Sequence, residues 1–191
     1  MISLTTPVSE NAIRALKVGD EVGITGTLYT GRDAVHKYLH EGGTLPVGVS
    51  FQGGILYHCG PVIIKDDHGL WKCVAAGPTT SIREEPYQWQ VIRDFGLRAV
   101  IGKGGMGDKT LQACKDYGCV YLHAIGGAAQ VLAETIKRVP NVYMMDQFGA
   151  PEAIWEFQVV NFPAVVTMDS HGNSLHKTVM AASTAELARH L

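Results

Sequence analysis

The sequence has no surplus of positive charge: 16 Lys and Arg stand against 18 Asp and Glu, a net charge of −2 at pH 7. A surface that grips nucleic acid through its phosphates needs a clustered cationic excess, so none is expected. No apolar run approaches the ~20 residues a helix needs to cross a bilayer. The opening Met1-Ile2-Ser3-Leu4-Thr5-Thr6-Pro7 has neither a basic start nor a long apolar centre, so no secretory signal is expected and the cytoplasm is the expected compartment. Cysteine is sparse. The four present, Cys59, Cys73, Cys114 and Cys119, form no C-x-x-C pair, and read as free packing thiols of a reducing compartment. An iron–sulfur site built from this chain alone is only weakly signalled by that spacing. Solenoid repeats and low-complexity linkers are also missing.

What remains is a chain of 191 residues with 46% hydrophobic content, enough for one good-sized domain. Its pattern changes along its length. Residues up to about Lys17 read as a strand and a short helix, with Ser9 as N-cap. Glu21 to Thr30 reads as a strand whose two glycines mark a bulge or a barrel corner. Asp33 caps a helix to about Glu41, closed by Gly42-Gly43. Gly54–Ile64 and Leu70–Ala76 read as two strands of a hairpin, which makes the front part β-rich. After Gly77 strands and helices alternate: helix Ser81–Phe95, strand Leu97–Ile101, helix Asp108–Tyr117, strand Val120–Ile125, helix Ala128–Val139, strand Val142–Met145 and strand Pro163–Met168. Ser174–Met180 reads as a hairpin return and Thr184–His190 as a final short helix. Alternation of this kind predicts parallel strands with crossover helices. The expected fold class is α/β, a parallel α/β layer packed on a β-rich, barrel-like half, within a single domain over residues 1–191.

The chemistry concentrates at two turns. Gly77-Pro78-Thr79-Thr80-Ser81-Ile82-Arg83-Glu84 places two hydroxyls and a guanidinium beside an expected helix start. Ser81 and Glu84 have capping-box spacing, so a helix should begin at Ser81 with its first amides available to an anion. Arg83 can hold a carboxylate with two parallel hydrogen bonds. The second turn, Gly102-Lys103-Gly104-Gly105-Met106-Gly107, satisfies G-x-G-x-x-G between a strand and a helix. A dinucleotide site is one reading, but the next strand ends in His123-Ala124-Ile125-Gly126 with no acid for a ribose. The other reading is a second helix start facing a small anion, with Lys103 as a point charge. Strand C-termini and helix N-termini of a parallel sheet share one edge. Thr79, Thr80, Arg83, Lys103 and the Gly126-Gly127 junction are therefore expected to converge, with Arg32 of the Gly31-Arg32-Asp33 turn as a further cation. Two or three cations for one small ligand imply a dicarboxylate.

These residues carry a resemblance. Gly26-Thr27-Leu28-Tyr29-Thr30-Gly31-Arg32-Asp33, His58-Cys59-Gly60-Pro61, the Gly77–Arg83 and Gly102–Gly107 turns and Asp169-Ser170-His171-Gly172-Asn173 resemble, in order and over nearly the whole chain, the β subunit of class I iron–sulfur fumarases and of L-tartrate dehydratase. The resemblance implies a swivelling β/β/α domain. It also implies a cluster-bearing α subunit as partner, in an α2β2 heteromer, with a [4Fe-4S] cluster held by that subunit and not by this chain. It implies substrate binding by Arg32, Thr79, Thr80, Arg83 and Lys103, the same five residues the turns point to, with Thr79, Arg83 and Lys103 catalytic and no metal ligand here. The implied reaction is reversible hydration of fumarate to malate, or dehydration of tartrate. The iron acts as a Lewis acid and Thr79 takes or relays a proton. His36, His58 and His171 are proton carriers by residue type, each also readable as structural.

Overall fold

The structure, a computed structural model, describes residues 1–190. The chain begins with strand β1 (Ile2–Thr5), helix α1 (Glu10–Arg14), strand β2 (Glu21–Thr30) and helix α2 (Asp33–His40). It continues with strands β3 (Ile55–Tyr57), β4 (Val62–Lys65) and β5 (Trp71–Ala75), a 3-10 turn Ser81–Glu84, helix α3 (Glu85–Phe95), strand β6 (Ala99–Gly102), helix α4 (Asp108–Tyr117) and strand β7 (Val120–His123). A second 3-10 turn, Gly126–Ala128, leads into α5 (Ala129–Glu134), β8 (Ile136–Arg138), β9 (Val142–Tyr143), α6 (Met145–Phe148), β10 (Ile154–Met168) and α7 (Leu175–Leu187).

The strands close on themselves. The pairing order is β2, β3, β6, β7 and β10, and β10 pairs back to β2 to complete a five-stranded barrel. β2, β3, β6 and β7 are mutually parallel, and β10 runs antiparallel to both its barrel neighbours. β1, β8 and β9 attach at the margins, and β4 and β5 form a separate hairpin. Strands from the β-rich front and from the alternating back thus share one sheet. This corrects the expectation of an α/β layer stacked on a distinct barrel-like half. The coarser expectation, a mixed α/β fold with a barrel-like sheet, holds.

Alternation along the central strands explains why the barrel fills. Ile55, Tyr57, Ala99, Ile101, Val120 and Leu122 point into one cluster, shared with Ile24, Leu28, Phe157 and Phe162. The intervening Leu56, Val100 and Tyr121 face the opposite cluster, where Val35 and Leu39 of α2, Val91 and Ile92 of α3 and Leu111 of α4 cover them. A strand buried on both faces reads as a continuous apolar run. Each such side chain is worth about 1.5–3 kcal/mol on burial.

β10 is too long to follow the barrel without a break, and its register against β2 shifts between Val159 and Phe162. Asn161 takes φ 52° there. The inserted residue reverses the parity: Phe157 and Val159 face the core before it, Phe162, Ala164 and Val166 after it. A bulge is the device that keeps one face inward when a strand bends. On the facing strand Gly26 has φ 116°, and a Cβ there would lie 2.3 Å from the Thr6 hydroxyl, so the expected barrel corner is found at this glycine.

Several elements differ from expectation. Gly54–Ile64 splits at Cys59-Gly60-Pro61: β3 joins the barrel and only β4 joins the hairpin. The helix expected over Ala128–Val139 ends at Glu134 because Ile136–Arg138 pairs with β10. β10 begins nine residues before Pro163. The expected strand Ser174–Met180 is instead the start of α7, with the Ser174 hydroxyl accepting from the Lys177 amide. α5 and α7 therefore show β-branched residues yielding to tertiary pairing in one case and to a cap in the other.

Candidate active site

The parallel strands β2, β3, β6 and β7 all end at one edge; Arg32 follows the end of β2 and Lys103 that of β6, while Thr79, Thr80 and Arg83 arrive from the hairpin strand β5. Thr79 and Thr80 are stitched between two of these strand ends by backbone hydrogen bonds. The Thr79 amide donates to the His58 carbonyl (2.6 Å), the Lys103 amide to the Thr79 carbonyl (3.2 Å), and the Ser81 amide to the Lys103 carbonyl (3.0 Å). Cys59 and Pro78 form a further bridge. The Gly77–Ser81 turn is thus an added strand-like lip on β3 and β6 that carries Thr79 to the rim, with Thr80 exposed beside it.

Arg32 reaches the same lip from the end of β2. Its guanidinium lies against Gly60, where a Cβ would sit 2.5 Å from Nη1 and 2.9 Å from the Pro151 carbonyl. Arg32 Nε lies 3.3 Å from the Glu152 carboxylate and has no hydrogen-bond partner although it is buried. Lys103 lies along Gly126, and a Cβ there would be 3.3 Å from Lys103 Cδ and 3.7 Å from Nζ. Arg83 is held by the Asp33 carboxylate in an ion pair. The structure therefore brings Arg32, Thr79, Thr80, Lys103 and the Gly126-Gly127 junction to one edge. Arg83 is tethered to the residue after Arg32. Lys103 enters no ion pair among the described residues. None of the five lines the hollow under Trp71, Gln130 and Arg138 or the one between Trp89 and Gln112; at the edge Thr80 is exposed and Arg32, Thr79 and Lys103 are half-buried.

The capping box is not formed, and what replaces it was missed in the sequence. Ser81 and Glu84 lie in a 3-10 turn with Thr80 at its start, and no side chain caps it. The Ser81 hydroxyl instead meets His58 Nδ1 at 2.8 Å and receives the Tyr121 hydroxyl at 2.9 Å. His58 Nε2 and His36 Nε2 both meet the Gln88 amide end, at 2.7 and 2.8 Å. His36 Nδ1 donates to the Arg32 carbonyl (2.8 Å). Burial holds both imidazoles below their ordinary range, His58 well below it, with His36 adding to the effect at His58. Neutral His36, donating from Nδ1, can only accept at Nε2. The Gln88 NH2 group must therefore stand between the two rings, which also gives a partner to the amide nitrogen otherwise left without one. The two histidines are thereby fixed as neutral supports behind Thr79 and Arg32. Only Gln88, a polar residue on the buried stripe with Val91 and Ile92, signalled this network in the sequence. His171 bonds the Arg14 carbonyl through Nε2, in a turn whose hub is Asp169, an acceptor from the His171, Asn173 and Val18 amides.

The start of α4, the nucleotide reading's phosphate seat, is filled. The Glu85 carboxylate accepts from the amides of Gly107 (2.8 Å), Lys109 (3.0 Å) and Thr110 (3.3 Å) and from the Thr110 hydroxyl (2.6 Å). With the amides of Gly107, Lys109 and Thr110 already given to a carboxylate, this helix start meets a pyrophosphate with a fixed negative charge.

The four cysteines are free and buried. Cys59 and Cys73 lie in the barrel cluster, and Cys114 and Cys119 in the cluster on the opposite face of the sheet. Burial raises Cys59, and raises Cys73 to about 12. No three of them converge, so this donor set does not fit an iron–sulfur cluster. Among the described residues no group of three His, Cys, Asp or Glu is placed to hold a metal ion.

The sequence matches known proteins over nearly its whole length. Residues 1–179 match the family described as Fumarase C-terminus. A protein of Geobacillus stearothermophilus, named provisionally as fumarate hydratase class I, is 56% identical over 189 residues, covering 99% of this chain and 36% of that protein. The chain thus spans about a third of that relative's length. A protein of Methanocaldococcus jannaschii, named provisionally as L(+)-tartrate dehydratase subunit beta, is 44% identical over 177 residues, 90% of this chain and 89% of that one. The L(+)-tartrate dehydratase subunit beta of Escherichia coli K12 is 35% identical over 173 residues, 90% and 85% of the two chains. Matched by the family model over residues 1–179 and by these relatives over 90% or more of its length, the chain belongs to the Fumarase C-terminus family.

Proposed function

We propose that this chain is the β subunit of a hydro-lyase that reversibly hydrates fumarate to malate, and that it supplies the cationic, hydroxyl-bearing side of the active site. The observation that carries the reading is that Arg32, Thr79, Thr80 and Lys103 stand at one sheet edge, Thr80 exposed there and the other three half-buried. An edge of this kind is half of a site. The other half belongs to an α subunit in an α2β2 heteromer, cytoplasmic in location, and the [4Fe-4S] cluster belongs to that subunit, since the cysteines here do not fit it. In this reading residues 1–191 are one swivelling β/β/α domain. The swivel is a motion of the barrel relative to the partner, closing this edge over substrate. No helix of the described chain is long and apolar enough to cross a membrane.

The chain's own residues then act as follows. Arg32, whose buried Nε has a donor to spare, and Arg83 hold the two carboxylates in bidentate fashion. Lys103 adds a compact positive charge where negative charge accumulates as the proton leaves the carbon beside a carboxylate. Fixed cations aimed at that charge stabilise the transition state more than the ground state. Thr79 takes or relays the proton. Its backbone is held on both sides, to His58 and Lys103, so its hydroxyl is placed without an entropic cost at the moment of reaction. Thr80 donates to the same carboxylate.

The second reading is the β subunit of L(+)-tartrate dehydratase, favoured by near full-length coverage of those relatives, whereas identity favours the fumarate hydratase. The anaerobically purified complex with its cluster-bearing subunit decides between them. Turnover of malate and fumarate with little turnover of L-tartrate is expected. The reverse preference establishes the second reading, and no turnover of either ends both. In the active complex Arg83→Lys and Lys103→Met should each lower kcat/KM at least ~10-fold, because each removes charge stabilisation. Near-normal kinetics for both would show that the site lies elsewhere.

A further inference from the structure

Behind Arg83 lies a pair of carboxyl groups that none of the roles above uses. Glu84 is fully buried, and neither of its carboxyl oxygens has a donor within hydrogen-bond reach. Asp33 turns one oxygen to the Arg83 guanidinium; the other is buried and equally without a donor. Glu84 directly follows Arg83, so this buried acid and the Arg83–Asp33 ion pair belong to one contact between α2 and the 3-10 turn, and each acid acts on the titration of the other. Two ionised carboxylates cannot meet without a proton between them, and three orphaned oxygens at one buried contact are what a missing proton leaves. The groups facing this pair are Arg83 beside it, Arg32 at the head of α2, the ring of His58 with Nδ1 4.0 Å from Glu84, and the Tyr121 hydroxyl behind Ser81. His58 is neutral and gives its Nδ1 proton to Ser81, so no cation other than the two arginines balances the pair.

We propose that Glu84 is a positioning residue of the substrate clamp. As a neutral carboxylic acid it donates its proton to Asp33, which holds Arg83 in register with Arg32, and loss of that proton switches the clamp off. The proposal rests on the reading of Arg83 as a carboxylate-binding group. With one proton shared, the pair carries a single negative charge, matched by Arg83, and Asp33 keeps its second oxygen for the guanidinium. When the Glu84 O–H bond breaks, its electron pair stays on Glu84 and the proton passes to solvent hydroxide. Two negative charges then face Arg83, the group of three carries a net charge of −1, and it repels the substrate carboxylate. Burial, with Asp33 adding to it, raises Glu84 to about 9. Burial would also raise Asp33, but the hydrogen bonds from Glu84 and Arg83 outweigh it and hold Asp33 below its ordinary range. The two shifts are opposite in sign, as expected when one acid keeps the proton and its neighbour gives it up.

Two measurements test this, one independent of turnover. Carbon-13 NMR of side-chain carboxyls in the full chain should show one Glu carboxyl still protonated at pH 7, titrating near pH 9, and absent in Glu84→Gln. All carboxyls ionised at pH 7 would overturn the proposal whatever the enzyme turns over. In the assembled enzyme Glu84→Ala should lower kcat/KM for the dicarboxylate ~10-fold. Glu84→Gln, whose NH2 can still donate to Asp33, should restore it to within ~2-fold at pH 7 and remove the alkaline rise in KM. An alkaline rise unchanged in Glu84→Gln, or no rescue by Gln, would overturn the proposal. If the complex turns over neither malate nor tartrate while the NMR titration stands, it is the functional reading that fails and not the shared proton.

Discussion

Two neighbouring glutamates meet opposite fates. Glu85 points its carboxylate at the start of α4 and accepts four hydrogen bonds there, three from backbone amides. Glu84 turns inward, finds no donor, and shares a proton with Asp33. The same side chain is an anion that caps one helix and a neutral acid that steadies an arginine, because one is given unpaired N–H groups and the other only burial and another carboxylate. The contrast extends to the two glycine turns. The Gly102–Gly107 turn looks like a phosphate cradle but is closed by this chain's own carboxylate. The Gly77–Glu84 turn looks like a capped helix start but leaves its threonines at the rim.

The joint between the turns is where the comparison breaks most severely. A Cβ on Gly102 would sit 1.8 Å from the Ser81 hydroxyl and 3.0 Å from the Tyr121 hydroxyl, so Gly102→Ala should destabilise the fold by about 3 kcal/mol, read as a drop in the urea midpoint. Replacing each glutamate by its isostere sharpens the contrast. Glu85→Gln weakens four charge-assisted bonds at a helix start and should cost about 2 kcal/mol near neutral pH. Glu84→Gln should cost little there, and equal losses at both positions would erase the distinction.

The pH dependence of stability comes next. Glu84 moves from 4.5 in the unfolded chain to about 9 in the folded one. Below the unfolded value both states hold the proton and its contribution is fully present. As pH rises the unfolded state releases its proton and the folded state does not, so stability falls by up to about 1.4 kcal/mol per pH unit until the folded value is passed. The decline between neutral pH and about 9 should be measurable by chemical denaturation and shallower in Glu84→Gln. His36 and His58 act with the opposite sign. Their folded values lie below 6.5, so the stability they contribute is present above that pH and is lost as pH falls below it. The smallest expected effect is none: NAD(H) or ATP titrated into the chain should give no binding heat, because Glu85 occupies the seat. Tight binding of either would show that Glu85 swings away.

Much of the site could be read before the fold was known. Strand-glycine-helix junctions locate one edge of a parallel sheet, and Arg32, Thr79, Thr80 and Lys103 stand along it, while Arg83, expected with them, is held by Asp33. α4 also matches its expected bounds, since its apolar stripe, Gly107 start and Gly118 stop all agree. The misreadings share a cause. β10 was recognised only from Pro163, because the Val160-Asn161 bulge reverses the alternation that marks a strand. Ile136–Arg138 reads as helix until β10 is there to pair with it. Ser81 and Glu84 have the spacing of a cap, but His58 and Tyr121 claim the Ser81 hydroxyl and Glu84 is buried without a donor.

Local order along the chain thus determined which chemical groups stand at strand ends, because turns and helix starts are written in a few adjacent residues. Closure of the barrel by β10, the seat taken by Glu85 and the proton held between Glu84 and Asp33 were decided only in three dimensions. The closure depends on residues up to 144 positions apart in one register, Glu21 facing Val165, with Thr30 bonding Ala153 and Trp155 beside it, and the other two depend on contacts between elements and on burial, which changes what a carboxyl group is.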